Sequence, residues 1–315
     1  MSLRIAFMGT PECARPSLER LRGDGHELMV VCQPDRQRGR GRNVAEPPVK
    51  QCCDGYGLRL IQPHSVNSDE SLACIADFDP DLYCVVAFGQ ILKPDTLSLP
   101  RLGAVNLHFS LLPRWRGAAP VEYAIWSGDE VTGASTQFMV EALDAGDVIL
   151  SKETPIEDGE TAGELMARLS GIGADLLGKT VDLIERGDAE PTPQDPDGVT
   201  FAPRIKPEEG AVDWAQPADD IANHILAFNP RPGCFTHHDG DMVKLWRAEP
   251  ADGRGEPGEV LGTEDETLMV AAGDGAVALL EVQPAGRKRQ SGRDFANGRR
   301  IEPGERLETI AVPAS

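Results

Sequence analysis

A chain of 315 residues, 40% of them hydrophobic, is long enough for two domains that each bury a core of their own. Its formal net charge of −20 excludes a surface that is basic throughout, so any polyanionic partner has to be held by local clusters of Lys and Arg. No apolar run approaches the ~20 residues that cross a bilayer, and residues 3–8 read as a strand rather than a signal-peptide core; no membrane association and a cytoplasmic location are expected. The cysteines at 13, 32, 52, 53, 74, 84 and 234 show no C-x-x-C spacing, so reduced thiols are expected rather than disulfides or a zinc site.

In chain order, apolar runs at 3–8, 28–32, 58–61, 82–87 and 103–107 read as strands separated by helical stretches. Such repetition predicts βα units on an open, mostly parallel, Rossmann-like sheet with helices on both faces. The first helix is expected to take Thr10 as its cap and Pro11 as its first residue, and to end at Gly23 and Gly25. The G-x-G-x-x-G pattern is absent there, which argues against a nicotinamide cofactor. Residues 33–47 form a connection much longer than the usual ~2–6 residues before a helix that Pro47 opens. It carries Arg36, Arg38, Arg40 and Arg42 interleaved with Gly39 and Gly41, a composition suited to a segment that orders on nucleic acid.

The segment AVNLHFSLLPRWRGAAP, residues 104–120, ends a strand-like run with Asn106 and His108 two positions apart. Strand side chains alternate, so both project from one face while Val105 and Leu107 take the other. Two polar groups then converge where open parallel sheets hold their ligands. Downstream, a Gly-bearing loop, Leu143-Asp144-Ala145-Gly146-Asp147, lies between strand-like stretches at 134–140 and 148–151. It can return the Asp144 carboxylate to the same rim, where it would orient and charge His108.

A long helical pattern from Thr161 to about Arg186 closes the first domain, and residues 188–207, rich in Gly, Pro and Asp, read as a linker. A short helix at 221–226 follows, with strand candidates at 242–246, 258–262, 267–271 and 276–282 that suggest a small barrel. His237 and His238 are expected in a turn before Gly240, without metal-binding spacing. A second basic stretch, 286–300, includes Arg287, Lys288 and Arg289; ten of the 31 Lys and Arg fall in these two stretches, so an acidic body with basic patches still suits a polyanion.

The string NLHFSLLPRWRGAAP with its spacing to LDAGD resembles the folate-dependent formyltransferases and, within them, the methionyl-tRNA formyltransferase family. FMGTPECA at 7–14, QPDRQRGRGR at 33–42, VVAFGQIL at 85–92, FNPRPG at 228–233 and VQPAGRK at 282–288 extend the likeness over nearly the whole chain. Cys13, Phe109 and Arg231 depart from the family's usual pattern, none of them in the candidate trio. The resemblance implies transfer of the formyl group of 10-formyltetrahydrofolate to the amino group of methionyl initiator tRNA, without a metal. It implies a catalytic domain over 1–187 and an OB-like, tRNA-binding β-barrel domain over 208–315.

Within that family the residues matching Asn106, His108 and Asp144 are the catalytic trio. Formyl transfer between nitrogens passes through a tetrahedral centre with charge on the formyl oxygen, which the Asn106 amide and a protonated His108 would stabilise, with Asp144 and His108 carrying protons. The resemblance assigns Ser110, Leu111, Leu112 and Pro113, with Phe88, Gly89, Gln90, Ile91 and Leu92, to the borders of the reduced folate. It also places Arg40 where the family's key tRNA arginine stands. A formyltransferase acting on a small amine or sugar nucleotide, or a non-catalytic tRNA-binding module, remain the alternatives, and a monomer is expected.

Overall fold

Strands covered on both faces need apolar side chains on both, and the chain supplies them as near-continuous runs. The computed structural model describes residues 2–38 and 43–308. The chain forms two compact units: the first through Gly117, with Gly133–Thr154 and Met166–Phe201; the second Ala118–Thr132, Pro155–Leu165 and Ala202 onward.

The elements are, in order, β1 (Arg4–Gly9), α1 (Arg15–Gly23), β2 (Glu27–Val31), β3 (Arg36–Arg38), β4 (Asn43–Ala45), α2 (Pro48–Tyr56), β5 (Arg59–Ile61), α3 (Asp69–Phe78), β6 (Leu82–Val86), α4 (Pro94–Leu97) and β7 (Ala104–His108). After them come β8 (Arg116–Gly117), α5 (Pro120–Trp126), β9 (Val131–Phe138), β10 (Val148–Pro155), α6 (Ala162–Arg186) and β11 (Phe201–Ala202). The remainder are α7 (Ala218–Ala227), β12 (Cys234–His238), β13 (Asp241–Ala251), β14 (Val260–Glu264), β15 (Thr267–Ala271), β16 (Ala276–Pro284), β17 (Gln290–Ser291) and α8 (Gly292–Arg299).

The first unit is built on a sheet in the order β10-β9-β7-β6-β1-β2-β5. β5, β2, β1, β6 and β7 run parallel, and β9 joins β7 antiparallel. Ile5, Ala6, Phe7 and Met8 of the central strand are fully buried, each large one contributing roughly 1.5–3 kcal/mol relative to exposure. The chain winds from β1 outward through β2 to β5, then returns to β6 on the other flank. That reversal opens a crevice at the carboxyl ends of β1 and β6, the usual ligand position in open α/β sheets.

Thr10 does not cap the first helix. A short 3-10 turn at Glu12–Ala14 precedes α1, with Pro11 before it and no side-chain cap. The Thr10 hydroxyl instead spans the crevice, donating to Phe88 O at 3.0 Å and accepting from Gln33 N at 3.3 Å. Joining two strand ends outcompeted a local cap.

The second unit carries an antiparallel sheet, β12-β13-β16-β15-β14, with β17 added to β16 and register shifts in β13 around Arg247 that bend it as a small barrel requires. His237 and His238 belong to β12 rather than to the expected turn, and α8 occupies part of the second basic stretch, where the sequence pattern marks no helix. All seven cysteines are free thiols. Burial raises those of Cys32 to about 11 and Cys53 to about 12, so they stay protonated.

His224 of α7 stacks on Trp126 (centroids 5.1 Å) and meets the Phe228 ring edge-on at 4.5 Å, while Nε2 donates to Glu209 O at 2.8 Å. Burial pushes its pKa down to about 4, against the carbonyl contact that raises it. Because the unfolded imidazole titrates near ~6.5, the stability held by its neutral form is complete above that pH and is lost as pH falls toward the folded value, at about 1.4 kcal/mol per pH unit at most. Urea unfolding midpoints should therefore fall between pH 6.5 and pH 4.5, with a shallower fall in a His224→Gln variant; equal pH dependence in both proteins would contradict this role.

Candidate active site

β7 presents its polar pair as alternation requires, and the sheet register adds to it. Asn106 stands opposite Gln137 of β9, and His108 opposite Ser135. Residues directly opposite in an antiparallel pair share a face. The β9–β10 connection then brings the Asp144 carboxylate between them: Oδ1 accepts from Asn106 Nδ2 at 3.4 Å and Gln137 Nε2 at 3.1 Å, while Oδ2 lies 3.8 Å from His108 Nδ1. The structure thus brings all three sequence-predicted catalytic side chains together. His108 and Asp144 are 7% and 13% exposed, a setting in which charge interactions are screened little.

The His108 ring is gripped from its other edge, since Nε2 lies 2.8 Å from Trp115 O. A carbonyl oxygen only accepts, so Nε2 carries a hydrogen and Nδ1 is the nitrogen turned toward Asp144. Holding Trp115 O there requires an unusual backbone. Trp115 has φ 62°, a left-handed conformation rarely seen in a bulky residue, and Thr200 Oγ1 fixes its N–H at 2.8 Å. Asp144 is also left-handed, with φ 47°, and Gly117 N donates to its Oδ2 at 2.9 Å. Two such residues around one histidine mark a place where the fold maintains local strain, as functional sites often do.

Gln194, which no sequence motif marks, supports the loop. Its Nε2 donates to Asp144 O, Gly146 O and Gln137 Oε1 at 2.9, 2.7 and 3.1 Å, while its Oε1 accepts from Arg116 Nε at 3.0 Å and Nη2 at 2.7 Å. It lies in the segment expected to be a linker, where only the fold could bring it to the site. Gly146 is required sterically, because a Cβ there would stand 1.7 Å from Phe138 O.

The residues expected to border folate fall into separate groups. Phe88 and Leu92 pack in the sheet core beside Met8 and Tyr83, Ile91 is 80% exposed, and Gly89 and Gln90 line a cavity of about 410 Å³ with Gln33, Arg36 and His64. Ala87 and Gly89 are both left-handed (φ 47° and 80°), turning the chain sharply at the crevice. Gln33 Nε2 secures that corner through Phe88 O at 3.1 Å and Gly89 O at 2.9 Å. On the other segment Ser110 is buried, its hydroxyl donating to Arg114 O at 2.6 Å, which leaves no poised nucleophile; Leu111, Leu112 and Pro113 are partly exposed.

The basic residues differ in their freedom. Arg36 donates to Gln33 Oε1 at the root of the β3–β4 hairpin; Arg40, Arg42 and the Arg38 side chain lie outside the described residues. In the second unit Arg289 lies over the Trp246 ring at 3.9 Å and pairs with Glu281 at 3.0 Å, whereas Arg287 and Lys288 are exposed, with no acidic partner among the described residues. Lys244 covers Trp246 as well, 5.2 Å from the ring centroid, so the indole gathers two cations. Among the described residues no helix is long and apolar enough to cross a membrane.

The chain matches two family models, "Formyl transferase" over residues 3–181 and "Formyl transferase, C-terminal domain" over residues 204–300. It is 43% identical over 298 residues to a methionyl-tRNA formyltransferase of Geobacillus thermodenitrificans, covering 93% of each chain. A methionyl-tRNA formyltransferase of Symbiobacterium thermophilum is likewise 43% identical over 317 residues, covering 99% of this chain and 97% of the relative. In fold it is similar to HypX from Aquifex aeolicus in complex with tetrahydrofolic acid, at a TM-score of 0.66 and 19% identity over 100% of this chain and 51% of HypX. Its Rossmann-like unit, barrel-like unit and nearly full-length likeness to these relatives agree: the chain belongs to the methionyl-tRNA formyltransferase family of formyl transferases.

Proposed function

We propose that this protein transfers the formyl group of 10-formyltetrahydrofolate to the α-amino group of methionyl initiator tRNA. The meeting of Asn106, His108 and Asp144 in one partly buried corner carries this reading. The acceptor amine attacks the formyl carbon and a new C–N bond forms; the bond to the folate nitrogen then breaks as the proton shed by the newly bonded nitrogen passes to it through Asp144 or His108, the proton carriers beside the reacting centre. Asn106 Nδ2 and a protonated His108 Nδ1 donate to the formyl oxygen as charge builds on it, and the fixed Trp115 O contact leaves Nδ1 as the ring nitrogen available for this task. Asp144 holds both donors and, directly or through a water, accepts the proton lost by the attacking ammonium.

The chemistry calls only on hydrogen-bond donors and proton carriers, so no metal is assigned. We assign the reduced folate to the crevice beside the 88–92 and 110–113 segments. Arg36, Arg38, Arg40 and Arg42, with Arg287, Lys288 and Arg289, are assigned to the tRNA, and the enzyme to the cytoplasm as a monomer. The test compares methionyl initiator tRNA with a small amine acceptor: transfer should be specific for the tRNA, and Arg40→Ala should raise its KM about tenfold while sparing folate affinity, as expected for loss of a charge-assisted phosphate contact. Equal use of a small amine by wild type and variant would overturn the proposal.

A further inference from the structure

The β3–β4 hairpin leaves the first unit between two acids, Asp35 just before β3 and Glu46 just after β4. Both reach one ammonium group. Lys50 Nζ, on α2, lies 2.7 Å from Asp35 Oδ2 and 2.9 Å from Glu46 Oε1. The junction is further anchored beyond β5, where Gln62 Nε2 donates to Asp35 Oδ1 at 2.7 Å and Gln33 O at 3.0 Å. The Lys50 side chain is only 17% exposed. Hydrogen bonds to Asp35 and Glu46 push its pKa up, and those from Gln62 and Lys50 hold the Asp35 carboxyl below its ordinary value.

A lysine on a nucleic-acid-binding protein would ordinarily be expected to touch phosphate, yet this ammonium already serves two carboxylates flanking the arginine-bearing segment. Tying the two ends of a connection at one point restricts the arrangements open to it, and a restricted connection loses less entropy on binding. We propose that Lys50 is a positioning residue for RNA recognition, clasping Asp35 and Glu46 to hold the base of the arginine hairpin closed. This rests on the reading of the hairpin as the arm that engages the tRNA.

Charge alone and the clasp predict opposite signs for one variant. Glu46→Gln removes an acid beside the arginines; unaided electrostatics would tighten RNA binding, whereas an opened clasp weakens it. We expect KM for methionyl initiator tRNA to rise about threefold in Glu46→Gln and about tenfold in Lys50→Met, with kcat at saturating tRNA and folate affinity unchanged, as loss of preorganisation without loss of chemistry requires. Lys50→Arg, which retains the cation, should restore most of the loss and provide a folded comparison. In an Arg40→Ala background Lys50→Met should add little, because both act through one arm. A lower or unchanged KM in Glu46→Gln, while Arg40→Ala raises it, overturns the clasp alone. An unchanged KM in Arg40→Ala removes the hairpin reading itself, and the clasp falls with it.

Discussion

His108→Ala is expected to lower the single-turnover rate of formyl transfer by about 100- to 1000-fold, the usual range for losing an oxyanion donor or a general acid–base group. Methionyl-tRNA affinity should change little, since the ring is largely buried and faces Trp115 O and Asp144. The variant also removes the 2.8 Å contact to Trp115 O, at a cost of about 1 kcal/mol, which separates modest destabilisation from the kinetic loss. Asn106→Ala should show a similar kinetic signature. The double variant should fall well short of the product of the two losses, because both donors lean on the same carboxylate. Near-wild-type single-turnover transfer by a folded His108→Ala enzyme would remove the proposed mechanism.

Gly146→Ala is the change with the largest structural consequence. The added methyl would stand 1.7 Å from Phe138 O, so the 139–147 loop must move away from β9. Asp144 lies two residues earlier and is fixed by Gly117 N, Gln137 and Gln194, so it is displaced with the loop. A misplacement of about 1 Å at a reacting group can cost roughly 100-fold in rate. We expect a loss of that size in kcat, a lower melting temperature, and a reduced folate still bound by the 88–90 side of the crevice. A variant with wild-type kcat would show that the close approach at Gly146 does not hold Asp144 in place.

Several parts of the site were readable along the chain. Alternation placed Asn106 and His108 on one face, and the Gly-bearing turn placed Asp144 within reach of it, because both signals are local and periodic. The supporting residues were not readable that way. Gln137 joins the site through the register of β7 and β9, and Gln194 through a segment whose composition looks like a linker. Thr10 shows the reverse failure: its local pattern is that of a helix cap, but the hydroxyl found a better partner across the sheet at Phe88 O.

The sequence by itself determined that this is an α/β chain with a second, strand-rich region. It also determined that an amide and an imidazole leave one strand together, with arginines crowded into a long connection. These properties follow from side-chain period and composition, which neighbours along the chain express without help. Only the tertiary structure decided that the Trp115 carbonyl takes one ring nitrogen of His108, that Gln194 reaches the Asp144 loop, and that Asp35 and Glu46 share one lysine. Those pairings join residues that meet only when loops close and strands settle in register, and polar groups buried by that closure must then find partners within reach.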